Sequence, residues 1–193
     1  MSATRRDRLP LAAYAIGALA ITGVGLYGMQ AEWIVERELL WIRGSAWCAI
    51  VALGLALCAT PVGRVLVRLK RTTPARVTRV RRALGITTAA LATLHGTLAL
   101  FTYLRGSWMH LLDLAWLRSG VIALVILVAL WVTSYPIVVK RAKVRLWKPL
   151  HRLAYVAFAL AVHHAMTSPF APRAWVLSLA AVVAVVALLR FVR

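Results

Sequence analysis

Long apolar segments separated by short basic ones dominate this sequence, and their lengths are the first guide to the fold. A helix needs about 20 apolar residues to cross the hydrocarbon core of a bilayer. Six segments meet this length, at residues 11–29, 46–67, 84–104, 117–138, 149–168 and 173–191. The pattern predicts an all-α protein, an integral membrane six-helix bundle in which residues 1–193 form a single transmembrane domain. The segment 31–44 is expected to be the first outer loop.

Composition and charge agree with a membrane protein. Hydrophobic residues make up 62% of the chain, against about 45–50% in an ordinary soluble domain, and the mean hydropathy is +0.80. The net charge of +19 is of a size that nucleic-acid-binding proteins have. The apolar runs leave no soluble core for a nucleic-acid module, however, so no nucleic-acid partner is expected.

The basic residues predict how the bundle is oriented. With six spans and an inner N-terminus, nineteen of the 24 Lys and Arg residues lie on inner segments and five on outer ones. Cytoplasmic loops of membrane proteins carry such an excess of Lys and Arg. We therefore expect both the N-terminus and the C-terminus to be cytoplasmic, with the basic face in contact with anionic membrane lipid.

Histidine is the residue type that carries candidate chemistry. His95, His163 and His164 are the only ionisable groups clearly inside the predicted spans, which contain no deep Asp, Glu or Lys. Carboxylate proton relays therefore have no candidates here. The two cysteines, Cys48 and Cys58, are about 15 Å apart along one predicted helix, too far for a disulfide. A buried imidazole needs a partner, and a metal accepts neutral imidazole directly.

Depth pairs two of these histidines. The third and fifth spans run parallel, and His95 and His164 both lie about 18–20 Å from the basic boundary by helical rise. Two imidazoles at one depth on neighbouring helices can hold one haem iron between them. The alternative is a pair of polar contacts that bridge helices. His163 is about 100° further round the helix, so only one of His163 and His164 should face that iron.

Three segments carry a family resemblance: "RRALGITTAALATLHGTLALFTYL" at 81–104, "WVTSYP" at 131–136 and "WKPLHRLAYVAFALAVHH" at 147–164. They resemble the ferric-reductase-type transmembrane domain, and more specifically the MsrQ (YedZ) family of haem-binding subunits of methionine-sulfoxide reductase systems. The resemblance covers roughly residues 50–168, and "ATPVGRVL" at 59–66 also fits it.

The resemblance implies a cofactor, ligands and partners. It implies a b-type haem protein of the bacterial inner membrane, with one or two haems held by His95, His151 and His164. Electrons would come from the quinol pool or a cytosolic flavin source, so a quinone or FMN is a second candidate cofactor. They would pass to a periplasmic redox partner, a molybdenum-cofactor reductase. The chain would thus be an electron-transfer subunit of an oxidoreductase system.

The remaining candidates keep more than one interpretation. His151 lies at the inner boundary, about 20 Å of rise and about 140° of rotation from His164, so a shared face would need a kink or a π-bulge. It is a haem ligand, a quinone or flavin contact, or an interfacial histidine. Arg81 and Arg82 anchor the third span or pair with haem propionates or a donor headgroup. His110 is a loop residue, a contact for a redox partner, or a ligand of a second haem.

Two rival functions remain open at this level. One is a stand-alone transmembrane ferric or cupric reductase with the same fold. The other is a non-redox membrane scaffold or assembly subunit whose histidines only bridge helices.

Overall fold

The helices of this protein follow the apolar pattern of its sequence. The computed structural model describes residues 34–135, 137–138 and 144–188, and these ranges contain no strand. Their helices are α1 Ile34–Arg68, α2 Pro74–Leu98, α3 Met109–Asp113, α4 Ala115–Val132, α5 Val144–Thr167 and α6 Arg173–Leu188. A π-helical segment, Ala99–Tyr103, follows α2 directly. The predicted all-α class is confirmed for the described part of the chain.

Within the described residues, three helical stretches are long and apolar enough to cross a membrane: Glu38–Arg68, Pro74–Tyr103 and Ala115–Val132. α6 is apolar but shorter over its described residues. α5 is not among the three, which we attribute to the strongly polar histidines and Arg152 within it. Several apolar helices therefore support a multi-pass membrane protein. The predicted first span, 11–29, lies outside the described residues, and the six-span count and the sides of the termini stay predictions.

Two helices begin earlier than the apolar pattern indicates. α1 begins at Ile34, whereas the predicted span begins at residue 46, so the segment expected to be an outer loop is helical from Ile34 onward. α2 begins at Pro74 rather than near residue 84. The physical reason is that hydropathy marks only the part of a helix that suits the hydrocarbon, whereas backbone hydrogen bonds continue a helix through polar flanks as well.

The connection between α1 and α2 has strong local signals. Lys70 adopts a left-handed backbone, with φ of 54°, and Arg71 N–H donates to the Leu66 carbonyl at 2.9 Å. This is the pattern of a Schellman motif that ends a helix. Thr73 then caps α2 by accepting from Arg76 N–H, with Pro74 in the first turn. We call this the basic end because it exposes Arg64, Arg68, Lys70, Arg71, Arg76, Arg79 and Arg82.

The described helices share one apolar core. Its buried residues come from five helices and are Ile50, Leu53, Leu57, Ala89, Leu127, Ala157, Phe158 and Val183. α2 and α5 pack mainly against α1 and α4 rather than closely on each other. A gap therefore remains between α2 and α5 toward the distal end, by which we mean the end where α1 and α4 begin and α5 finishes.

Candidate functional site

Two histidines face each other across this gap. His95 lies near the end of α2 and His164 near the end of α5. Their ring centroids are 6.2 Å apart, with 65° between the ring planes. The structure thus brings together the two imidazoles that the sequence places at equal depth. Their assignment as haem ligands stays a prediction.

Each of these imidazoles is oriented by a backbone carbonyl from a different helix. His95 Nδ1 lies 3.0 Å from the Ile42 carbonyl oxygen of α1, and His164 Nδ1 lies 2.7 Å from the Trp116 carbonyl oxygen of α4. A carbonyl oxygen only accepts, so Nδ1 must carry the proton in both rings. The free lone pair is then on Nε2. An imidazole in this tautomer can bind a metal through Nε2.

The separation of the rings fits one metal ion between them. A ligating imidazole nitrogen lies about 2 Å from its metal, and the ring centre is about 1 Å further away, so two opposed imidazoles have centroids roughly 6 Å apart. The observed 6.2 Å agrees with this spacing. Within the described residues, no group of three or more His, Cys, Asp or Glu side chains could hold a metal ion. A haem needs only two such ligands because the porphyrin supplies the other four.

A cavity of about 430 Å³ surrounds the two histidines. This volume is within the range of about 300–1,000 Å³ that is usual for cofactor sites. Its walls come mainly from α1, α2, α4, α5 and the π-helical segment, with smaller parts from α3 and the segment after α5. They are mostly apolar, with His95, His164 and Arg43 as basic groups. The residues present therefore fit a large apolar macrocycle held by two imidazoles.

One turn of α4, Trp116 to Gly120, forms the seat of His164. The Trp116 ring stacks on the imidazole, with centroids 5.4 Å apart and 27° between planes, while the Trp116 carbonyl holds Nδ1. Ser119 Oγ donates to the same carbonyl at 2.8 Å. A Cβ on Gly120 would lie 2.8 Å from His164 Nδ1 and 3.0 Å from Cε1. Only glycine leaves room for the imidazole at this point.

His163 points away from the cavity. Its side chain is exposed, and Nδ1 lies 3.1 Å from Ser119 Oγ. Because the Ser119 hydroxyl proton is donated to the Trp116 carbonyl, the hydroxyl accepts from His163. Of the adjacent pair, His164 is thus the residue that lines the cavity, and His163 contacts the seat from outside.

His151 lies in a separate place, near the beginning of α5. Nδ1 is 3.2 Å from the Trp147 carbonyl oxygen of the same helix, and Nε2 is 3.4 Å from Ser134 Oγ. The Trp147 ring covers the imidazole at a centroid distance of 4.0 Å. His151 does not line the cavity. α5 is helical throughout Val144–Thr167, and the π-helical segment follows α2 instead, so His151 and His164 do not share a face.

The remaining sequence candidates lie outside the cavity as well. Arg81 Nη1 donates to Thr60 Oγ1 at 3.2 Å and so joins α2 to α1. Arg82 is exposed at the basic end, and neither arginine lines the cavity. His110, predicted as a loop residue, lies on the short helix α3 and is exposed. For Arg81, the hydrogen bond favours the anchoring interpretation.

Sequence reasoning missed the groups that position the two histidines. Ile42 and Trp116 act through backbone carbonyls, which no side-chain pattern reveals. Gly120 and Arg43 have no periodicity of their own, and each gains its role only from what lies opposite it. The available signal was weak: Ser119 and Gly120 are small residues at the beginning of an apolar span, where small residues permit close helix packing.

Comparison with known proteins identifies the family of this chain. Residues 45–162 match the family described as "Ferric reductase like transmembrane component", and the chain belongs to that family. It is also similar to the "Protein-methionine-sulfoxide reductase heme-binding subunit MsrQ" of Deinococcus radiodurans, at 37% identity over 106 residues. That match covers 48% of this chain and 50% of the relative, so the chain spans about half the length of the curated relative it matches.

Proposed function

We propose that this protein is a b-type haem protein that conducts electrons across the bacterial cytoplasmic membrane. The carrying observation is the cavity at the distal end, where His95 and His164 face each other and neither Nε2 atom has a hydrogen-bond partner among the described residues. The relative named a heme-binding subunit supports haem as the group that the cavity takes. Bound haem would supply a one-electron carrier at this position.

In this proposal the chain's own residues bind the haem, orient the two imidazoles and shield the cavity from water. His95 and His164 would both hold the haem iron, and iron held by two protein side chains would favour electron transfer over binding of oxygen. The Ile42 and Trp116 carbonyls hold the imidazoles in the ligating tautomer, so little reorganisation is needed on loading. Apolar walls, mainly from five helical stretches, exclude water and keep the local dielectric low.

The proposed orientation places the basic end in the cytoplasm. The exposed arginines and lysines around the α1–α2 connection follow the positive-inside rule and meet anionic lipid headgroups. In a bundle of six spans with both termini cytoplasmic, the cavity then lies toward the outer side. Electrons would enter near the basic end and leave near the distal end.

Donor and acceptor follow from this direction. We infer a quinol or a cytosolic flavin as the donor, with His151 as a contact for quinone or FMN or as the ligand of a second haem. The proposed acceptor is a periplasmic molybdenum-cofactor reductase. The support is the relative's name, which assigns its subunit to protein-methionine-sulfoxide reductase.

A stand-alone ferric or cupric reductase is the second candidate. It is favoured by the family description, "Ferric reductase like transmembrane component". In this alternative the same cavity would deliver electrons directly to a metal chelate at the distal end, with no partner protein.

The test of haem binding uses the purified full chain expressed with ample haem. Reduction with dithionite should give paired α and β absorption bands, which His95→Ala and His164→Ala should abolish. His110→Ala is the matched control, because His110 is exposed on α3 and outside the cavity. A colourless but folded wild-type protein would refute the proposal.

The acceptor is tested with the reduced protein. Rapid oxidation by an exported molybdopterin enzyme from the same genome, with slow oxidation by ferric chelate, supports the electron-transfer subunit. Rapid oxidation by ferric chelate alone supports the metal reductase.

A further inference from the structure

Among the described residues that line the cavity, Arg43 is the only Lys, Arg, Asp or Glu. All other described lining residues are apolar, small, hydroxyl-bearing, Trp or His. Arg43 follows Ile42, whose carbonyl holds His95, so one turn of α1 supplies both groups. A lone cation on the wall of an otherwise apolar cavity marks the place where a negative group of an occupant is best accommodated.

Arg43 has an exposed side chain and contacts one aromatic ring of the cavity wall. Its guanidinium carbon lies 5.8 Å from the Phe170 ring centroid, and Phe170 makes an edge-to-face contact with Tyr103 at 5.3 Å. All three residues line the cavity. A cation–π contact at this distance restrains the guanidinium without using its hydrogen-bond donors. Among the described residues, no hydrogen bond or ion pair occupies these donors.

We propose that Arg43 binds a propionate carboxylate of the macrocycle in the cavity, so that the carboxylate edge of the haem points toward the distal end. This inference rests on the proposed function. A guanidinium binds a carboxylate through two parallel hydrogen bonds, and an apolar cavity makes a carboxylate without a partner costly. Arg81 and Arg82 lie at the other end of α2 and do not line the cavity, so they do not serve this edge.

Two residues at this edge of the cavity lie outside the matched family region. Arg43 precedes the matched residues 45–162, and Phe170 follows them. The edge of the cavity that faces the distal end is thus formed partly by segments on either side of that region.

The test compares two porphyrins in detergent-purified protein freed of haem. Haem b carries both propionates, whereas its dimethyl ester carries no charge there. Wild type should bind haem b at least about tenfold more tightly than the ester, as expected for a charge-assisted pair. Arg43→Gln should remove most of this preference. Arg173→Gln is the matched control, because Arg173 is an exposed cation at the first residue of α6 and outside the cavity, and it should keep the preference.

A second variant guards against loss of folding. Arg43→Lys keeps the charge without the planar fork and should retain part of the preference, with helical content by circular dichroism unchanged. Full discrimination between the porphyrins in both Arg43 variants would overturn the inference while leaving the proposed function intact. Failure of wild type to bind either porphyrin would overturn both.

Discussion

Histidines at both ends of this bundle contact backbone carbonyls, but the two ends differ in which helix supplies the carbonyl. At the distal end, the carbonyls that hold His95 and His164 come from other helices. At the basic end, His151 bonds the Trp147 carbonyl one turn earlier on its own helix, and its Nε2 meets Ser134. The carbonyls on neighbouring helices orient His95 and His164 toward the gap. The carbonyl on its own helix keeps His151 against α5. The two distal imidazoles therefore lie close to each other, whereas His151 lies apart from them against Trp147 and Ser134.

The largest expected difference between the two ends is in affinity for the cavity haem. In the proposed function, His164→Ala removes one of the two residues that would hold the haem iron, and it should weaken haem binding by more than about a hundredfold. His151→Ala should change the same affinity by less than about threefold, since His151 does not line the cavity. Titration of the haem-free variants with haem measures both values. Equal losses in the two variants would contradict the separation of the ends.

The seat of His164 provides the next test. Gly120→Val would place side-chain atoms where the imidazole lies, because even a Cβ comes within 2.8 Å of Nδ1. We expect loss of the low-spin spectrum or a shift to a five-coordinate one. Gly85→Val is the matched control, since a Cβ at this helical glycine meets nothing within 4 Å. An unchanged spectrum in Gly120→Val would show that His164 is not the ligand.

His151 itself is tested by counting haem. If His151 ligates a second haem at the basic end, His151→Ala lowers the haem-to-chain ratio from two to one and leaves the cavity spectrum intact. If it contacts a quinone or flavin donor, the ratio stays unchanged and reduction by that donor slows. The pyridine haemochrome assay gives the ratio, and stopped-flow reduction gives the rate. Both quantities unchanged would leave His151 a plain interfacial residue.

The smallest expected effect concerns Ser119, which shares the Trp116 carbonyl with His164 and accepts from His163. Ser119→Ala removes this link but leaves both cavity imidazoles in place, so haem affinity should fall by about tenfold or less. Ser178→Ala is the control, because Ser178 also donates to a carbonyl of its own helix but touches no histidine. A loss as large as that of His164→Ala would mean that Ser119 has a greater role than support of the seat.

Particular residues show how far the sequence could lead. Equal depth from the basic boundary was enough to pair His95 with His164, because helical rise converts residue count directly into distance. The same rule could not tell which side of α5 faces the gap, since rotation depends on packing. In the structure His164 lines the cavity, and His163 is exposed. The π-helical segment after α2 was not predicted, because local bulges have no period to detect.

By itself, the sequence indicated that the protein lies in a membrane, that it is all-α, and that histidine is the residue type with candidate chemistry. These follow from hydropathy, segment length and the scarcity of other buried ionisable groups, all of which are properties of the chain taken in order. Only the tertiary structure decided which imidazoles meet, which carbonyls fix their tautomers, and why position 120 must be glycine. Those facts depend on atoms far apart in the chain, and a backbone carbonyl or a missing Cβ acquires its role only when another helix lies against it.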